Sequence, residues 1–250
     1  SYDKPEGSEL SQMTDQHKLY YHKLGTPQSE DVLIFGGLPE QKHRYVGGSV
    51  TRDGKYLFIT ASKTTSGNIS LIKDLSILKS PLLKVDEDYN TDSYLLDAIK
   101  DNLYIVTNSN APNKRVVKVS ARSPQEKNWK DFISETEHVL LPSSGGGYFF
   151  ARYIINVMTK VIQYDFKGNN MGEIKLPGIG TAGGWNGKME DETLYYSFTN
   201  YHTPGVIYSY NPKTKKSDQF WKPDINFDPD NYISEQIFFT SLAVSYTHLT

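Results

Sequence analysis

The chain contains no cysteine, has almost no excess charge and has no long apolar run. The missing cysteines exclude disulfide bonds, thiolate zinc sites and cysteine nucleophiles. A formal net charge of −2 provides no overall basic excess of the kind that nucleic-acid binding requires. No apolar stretch approaches the roughly 20 residues that span a bilayer. We therefore expect no nucleic-acid partner and no membrane segment, and the compartment stays open between cytoplasm and periplasm.

Aromatic residues, by contrast, are abundant and recur in a regular pattern. The 18 Tyr and 11 Phe suit a β-rich protein. Four similar stretches, "GKYLFITAS", "DNLYIVTNS", "GGYFFARYI" and "ETLYYSFTN", follow turn-like residues and read as short strands. Their equivalent centres are Leu57, Tyr104, Phe149 and Tyr195. These centres are spaced about 45 residues apart, which marks an internal repeat.

A second ladder of strands keeps step with the first. Its centres are Leu71, Val116, Ile162 and Ile207, and a polar loop separates each from its partner strand. A period of about 45 residues with several strands per unit is typical of a β-propeller blade. "DVLIFGGL" and "EIKLPGI" read as outer edge strands, and "SPQEKNWKDFI" as a short helical turn between blades. The sequence therefore predicts an all-β propeller of four-stranded blades.

The repeat also predicts how much of a ring is present. "KLYYHKLGT" aligns with the second ladder, but nothing upstream matches the first ladder. Closed propellers use about 4–8 blades. We therefore expect the chain to begin inside a blade and to form an incomplete ring of roughly four and a half blades.

Several stretches in the same order resemble one known family. They are "KLYYHKLGTPQSEDVL", "GGSVTRDGKYLFI", "TNSNAPNKRVVKV", "YYSFTNYHTPGVIYSYN" and "YISEQIFFTS". Together they resemble the N-terminal propeller of the prolyl oligopeptidase family of serine peptidases. The resemblance covers residues 1–241, whereas "LAVSYTHLT" (242–250) departs from it. We expect 1–241 to be a partial propeller domain and 242–250 to be a non-native tail.

The resemblance implies a function for the parent protein rather than for this chain alone. In that family the propeller caps an α/β-hydrolase domain, which carries a Ser-Asp-His triad and cleaves short peptides after proline, and the propeller gates peptide entry. Here no G-x-S-x-G nucleophile elbow occurs. We therefore expect a serine-type endopeptidase as the parent, an absent C-terminal hydrolase domain as the partner, and no catalytic residues, cofactor or metal in this chain.

One loop is implied to face the substrate. By alignment it is "SKTTSGN" (62–68), in which Lys63 and Thr65 are the candidate contacts. The loop joins what the resemblance treats as the first two strands of a blade. An ordinary solvated loop is the competing interpretation.

Three patterns imitate other sites. "GIGTAGG" (178–184) contains G-x-G-x-x-G, but a strand follows where a dinucleotide site needs a helix. "DINFDPDNYISE" (224–235) has the acidic spacing of an EF-hand, but Pro229 stands where glycine is required. The carboxylates of Asp86, Glu87 and Asp88 suggest a glycosidase pair only if two of them share a cavity.

The sequence is also compatible with a second class of function. A self-standing propeller that binds a protein or glycan without catalysis would carry the same repeat. The two hypotheses differ in how the chain continues after the last blade. A free-standing propeller closes its ring, whereas "QIFFTS" resembles a strand that leads into a hydrolase domain.

Overall fold

A computed structural model describes residues 15–238, and the predicted 242–250 tail lies outside them. Within that range the chain forms five antiparallel sheets, one with two strands and four with four strands. The helical turns are 3-10 turns at Gln28–Glu30, Pro39–Gln41, Glu126–Asn128 and Pro229–Asn231. The all-β prediction is confirmed.

Eighteen strands follow one another in the described part of the chain. The partial blade contains β1 (Leu19–Tyr21) and β2 (Val32–Phe35). Blade one contains β3 (Tyr45–Val50), β4 (Tyr56–Ser62), β5 (Ile69–Asp74) and β6 (Leu83–Asp86). Blade two contains β7 (Ser93–Ile99), β8 (Asn102–Thr107), β9 (Arg115–Ser120) and β10 (Lys130–Ile133). Blade three contains β11 (Leu141–Gly145), β12 (Tyr148–Ile155), β13 (Met158–Tyr164) and β14 (Asn170–Glu173). Blade four contains β15 (Thr181–Gly184), β16 (Leu194–Thr199), β17 (Val206–Asn211) and β18 (Lys216–Trp221).

The strand order confirms the predicted repeat. Each four-stranded sheet is a meander in which consecutive strands pair. The first ladder of the sequence forms the second strand of every blade, and the second ladder forms the third strand. The inner strands β7 and β11 of neighbouring blades contact each other. Over residues 15–238 the sheets form an open arc of four blades and one partial blade and do not close into a ring.

Two local predictions are wrong. The outer strand of blade three is Asn170–Glu173, so "EIKLPGI" contributes only its first residue to it. Ile174 still donates its N–H to the Val161 carbonyl at 2.8 Å, after which the chain leaves towards blade four. "SPQEKNWKDFI" does contain a helical turn, but it lies inside blade two, because Lys130–Ile133 is that blade's outer strand.

The core is divided into layers between consecutive sheets. Side chains from the facing sides of two blades pack together, and the same arrangement recurs at every junction. Between blades two and three, for example, Tyr104 and Phe149 are buried with ring centroids 4.5 Å apart, and Phe132 lies edge-on to both. Full burial of one such ring stabilises the fold by about 1.5–3 kcal/mol. The blades therefore hold one another through aromatic and aliphatic layers.

Blade four has one open side. In β16 the residues alternate strictly between buried and exposed, with Tyr196 at 1% and Tyr195 at 46% exposed. The equivalent strands β4, β8 and β12 are buried on both sides over most of their length. Tyr195 packs edge-on against Phe220, which is itself 62% exposed. The described residues therefore leave this sheet face uncovered.

In residues 15–238, no helix has the length and apolar character needed to cross a membrane.

Candidate functional site

The loop that carries Lys63 and Thr65 lies at one edge of blade one. It joins β4 to β5, the second and third strands, so the prediction that it joins the first two strands is wrong. Residues 63–66 are exposed. Thr64 closes the turn by donating its hydroxyl to the Ser66 carbonyl at 2.7 Å. The candidate side chains therefore stand at an accessible loop edge, here called the loop face.

The far end of this loop is fixed against blade two. Gly67 donates its N–H to an Asp92 carboxylate oxygen at 2.8 Å. Its φ is +75°, and a Cβ atom there would overlap the Tyr89 carbonyl oxygen. Only glycine meets both conditions without strain. The loop and the 87–92 connection before β7 thus approach each other closely.

Lys63 is held by an aromatic and histidine pair. Its ammonium lies 4.2 Å from the centre of the Tyr89 ring, a cation–π arrangement. The Tyr89 hydroxyl lies 2.6 Å from Nε2 of His43, and Nδ1 of His43 lies 2.9 Å from the Gln41 carbonyl. A carbonyl only accepts, so Nδ1 carries the proton and Nε2 accepts from the tyrosine.

Burial keeps this histidine neutral. His43 is 1% exposed, and desolvation lowers its pKa. The hydrogen bond to the Gln41 carbonyl opposes this shift, whereas the nearby Lys63 charge adds to it. Burial also raises the pKa of the Tyr89 phenol. Both groups therefore stay uncharged near neutral pH, and Lys63 provides the charge. Within residues 15–238, no carboxylate forms an ion pair with Lys63.

The acids of the 86–88 segment do not form a catalytic pair. Asp86 is buried and accepts from the Ser93 hydroxyl at 2.5 Å and the Thr91 hydroxyl at 3.1 Å. Asp88 is exposed and accepts from the N–H and side chain of Asn90. Glu87 pairs with Lys84 on the surface. These carboxylates organise the turn that carries Tyr89.

Asn68 joins blades one and two at the base of the loop. Its carboxamide accepts from the Ser93 N–H at 3.1 Å and donates to the Ser93 carbonyl at 2.9 Å. Ser93 begins β7, the inner edge strand of blade two, so these two backbone groups have no strand beside them. The side chain of Asn68 thus makes the two hydrogen bonds that a neighbouring strand would otherwise make to Ser93. Sequence reasoning missed Asn68, Tyr89 and His43, although the polar cluster "DEDYNTDS" before β7 is a turn signal.

The other patterns singled out in the sequence form a strand, coil and a turn, and none of them forms the site that it imitates. In "GIGTAGG", Thr181–Gly184 is the inner strand β15, and Trp185 follows it without a helix. "DINFDPDNYISE" is coil around the 3-10 turn Pro229–Asn231, with no α-helix on either side among the described residues. Over residues 15–238, no three metal-ligating side chains cluster together.

One serine and one histidine do meet near blade four. His202 Nδ1 lies 2.8 Å from the Ser234 hydroxyl at the edge of a cavity of about 710 Å³. A nucleophile and base need a third group that orients the base. No carboxylate bonded to His202 is found in the described part of the chain. The pair fastens the segment after β18 to blade four and is not a triad.

Comparisons with known proteins agree with this architecture. Residues 1–223 match the family model described as prolyl oligopeptidase, N-terminal beta-propeller domain. The prolyl endopeptidase of Elizabethkingia miricola is 47% identical over 242 residues, which are 96% of this chain and 34% of that protein. The prolyl endopeptidase of Dictyostelium discoideum is 27% identical over 90% of this chain and 32% of its own length.

Solved structures give the same result. A prolyl endopeptidase structure matches with a TM-score of 0.79 at 28% identity, over 90% of this chain and 33% of that chain. Prolyl oligopeptidase B from Galerina marginata has the same fold, with a TM-score of 0.81 at 24% identity over 93% of this chain and 34% of its own. The chain spans about a third of the length of these relatives. The chain belongs to the prolyl oligopeptidase family, and its residues 1–223 correspond to that family's N-terminal β-propeller domain.

Proposed function

We propose that this chain is the substrate-gating propeller part of a serine-type endopeptidase that cleaves short peptides after proline. The observation that carries the proposal is the 47% identity, over 96% of the chain, to a prolyl endopeptidase. The 250 residues of this chain contain no G-x-S-x-G elbow. We therefore expect the nucleophile, base and acid to belong to a hydrolase domain outside these residues. Residues 1–241 would then be the partial propeller domain, and 242–250 a non-native addition.

Within this proposal, the loop face is the surface that peptides meet. Lys63 presents a positive charge that Tyr89 and His43 hold in place, and Thr65 stands exposed beside it. A fixed ammonium attracts the carboxylates and carbonyl oxygens of a passing peptide. We therefore infer that Lys63 and Thr65 contribute to peptide affinity and not to bond cleavage.

A chimeric enzyme tests the proposal. Residues 1–241 replace the homologous segment of the Elizabethkingia miricola prolyl endopeptidase. We expect the chimera to cleave a Gly-Pro-linked chromogenic substrate and to spare a folded protein substrate, whereas the chain alone cleaves neither. A folded chimera without activity, or rapid cleavage by the chain alone, would contradict the proposal.

The loop face has its own matched control. Lys63→Ala in the chimera is expected to raise KM for an oligopeptide about threefold while kcat stays unchanged, because a lost uniform binding contact changes KM alone. Lys167 lies in the exposed turn between β13 and β14, at the opposite edge of the sheets. Lys167→Ala removes the same charge there and should leave KM unchanged.

A further inference from the structure

A cavity of about 710 Å³ lies at the outer part of blade four, away from Lys63. The 177–179 linker, the loop before β17 and the segment after β18 form its walls. Its volume falls within the range of about 300–1,000 Å³ that is usual for small-ligand sites. The cavity is separate from the loop face, whose residues do not line it.

A stack of three aromatic rings ends at the blade side of the cavity. Trp185 stacks on Tyr196 at 4.4 Å between ring centroids, and Tyr196 stacks on Tyr208 at 5.2 Å, with both ring pairs nearly parallel. Trp185 and Tyr196 are each 1% exposed. Tyr208, the end of this stack, lines the cavity. Its orientation is therefore set by two buried rings behind it.

The segment after β18 adds a second pair of rings to the lining. Phe227 and Tyr232 stack with centroids 5.1 Å apart, and both line the cavity. They are 42% and 55% exposed, so much of their apolar surface is uncovered by the residues described. Exposed aromatic surface facing a cavity is typical of a ligand site.

Hydrogen bonds fasten together the segments that form the cavity walls. The 2.8 Å hydrogen bond between His202 and Ser234 joins the loop before β17 to the segment after β18. Asn200 accepts from the Thr203 N–H at 2.7 Å and donates to the Ile179 carbonyl at 3.1 Å, which fixes the loop to the linker. Four prolines also stiffen the lining: Pro177, Pro204, Pro223 and Pro229. A preformed site loses little ordering entropy on binding.

We propose that this cavity binds a proline-containing peptide in the polyproline II conformation, with its proline rings packed against the lining rings of Tyr208, Phe227 and Tyr232. Aromatic-lined grooves select such peptides because the peptide is already extended, loses little entropy on binding and offers apolar proline rings. Lys222 lines the cavity together with Asp224 and Asp228 and forms no ion pair among the described residues, so its ammonium can donate to the peptide's carbonyl oxygens. The site goes beyond the proposed gating function and needs no peptidase activity.

Calorimetric titration of the purified chain tests this site with two probes. N-acetylated tetraproline amide is expected to bind saturably, and N-acetylated tetra-alanine amide at least about tenfold more weakly, a factor that corresponds to 1.4 kcal/mol. Equal binding of the two probes, or no saturable binding of tetraproline, would overturn the proposal. Neither result depends on whether the chimeric enzyme cleaves its substrate.

Two variants locate the binding. Tyr232→Ala changes a residue beyond the last blade strand, so folding should persist, and it is expected to weaken tetraproline binding about tenfold. Tyr201→Ala is the matched control, because Tyr201 is fully exposed and does not line the cavity. It should leave the affinity unchanged. If both variants bind tetraproline as the unmodified chain does, the site is not this cavity.

Discussion

Removal of the Asn68 side chain tests whether polar links between blades stabilise the arc. Asn68 serves both backbone groups of Ser93, a residue that is 0% exposed. In Asn68→Ala neither group retains that partner, and water does not reach them. A buried donor or acceptor left without a partner costs about 1–3 kcal/mol. Two such groups predict a loss of about 2–6 kcal/mol in the free energy of unfolding.

The repeat itself supplies the control for this substitution. Asn113 stands at the corresponding place one blade further along, but its amide makes a solvent-accessible bond to the Thr136 carbonyl at 3.1 Å. Asn113→Ala deletes the same atoms and should cost only about 0.5–1 kcal/mol. Asn68→Asp is a third variant: it keeps an acceptor for the Ser93 N–H but has no donor for the Ser93 carbonyl, so it should also destabilise.

Urea unfolding of the purified chain, followed by tryptophan fluorescence, measures these differences. The midpoint of Asn68→Ala is expected to fall while the slope m stays constant, because the surface exposed on unfolding does not change. The midpoint of Asn113→Ala should stay near that of the unmodified chain. If the two alanine variants lose equal stability, the Asn68–Ser93 bonds contribute nothing special and the reasoning fails.

Three further predictions concern other parts of the arc. Val157 occupies the two-residue turn between β12 and β13 with φ +59°, a conformation that strains a β-branched residue, so Val157→Gly should raise the free energy of unfolding by about 0.5–1 kcal/mol in the same urea assay. Asp101 accepts from Lys55 at 2.5 Å, and this bond holds the pKa of the carboxyl at about 2, below its usual 3.8. The ionised Asp101 carboxylate therefore stabilises the fold fully above pH 3.8, and this stabilisation is lost as the pH falls through about 2. The unmodified chain and Asp101→Asn should differ in their unfolding midpoints above pH 3.8, and the difference should shrink as the pH is lowered from 3.8 to about 2. The uncovered face of blade four predicts self-association, which Tyr195→Ser combined with Phe220→Ser should reduce in sedimentation velocity runs; unchanged association would place the contact elsewhere.

The second strand of each blade was predictable because it is buried. In β4, β8 and β12 both faces of the strand are buried, and in β16 one whole face is buried. Burial forces apolar residues into β4, β8, β12 and β16, and the repeat makes four copies of that signal. Outer strands carry a weaker signal. Asn170–Glu173 is "NMGE", a strand formed by backbone pairing with β13 and without an apolar pattern. The pattern of side chains therefore could not separate it from the following "IKLP".

The candidate sites were predictable only in part, for a related reason. The resemblance indicated the Lys63 loop, but the sequence gives no local sign that Tyr89 lies beneath its ammonium or that His43 anchors that phenol. The cavity of blade four depends on a segment without regular strands, which packs through Phe227 and Tyr232. Contacts of this kind are set by packing between distant segments and not by local propensity.

The blade repeat nevertheless predicts where such contacts form. His43 and Tyr89 are 46 positions apart, and so are Lys55 and Asp101. Buried Gln163 accepts from the Tyr210 hydroxyl, 47 positions later, at 2.5 Å. Stacked blades bring a residue near the one that stands one period further along the chain, because each blade repeats the path of the last. A buried polar residue in a blade must find a partner, and one period away is the first place to look for it. The spacing that reveals the fold thus also identifies the polar pairs that join neighbouring blades.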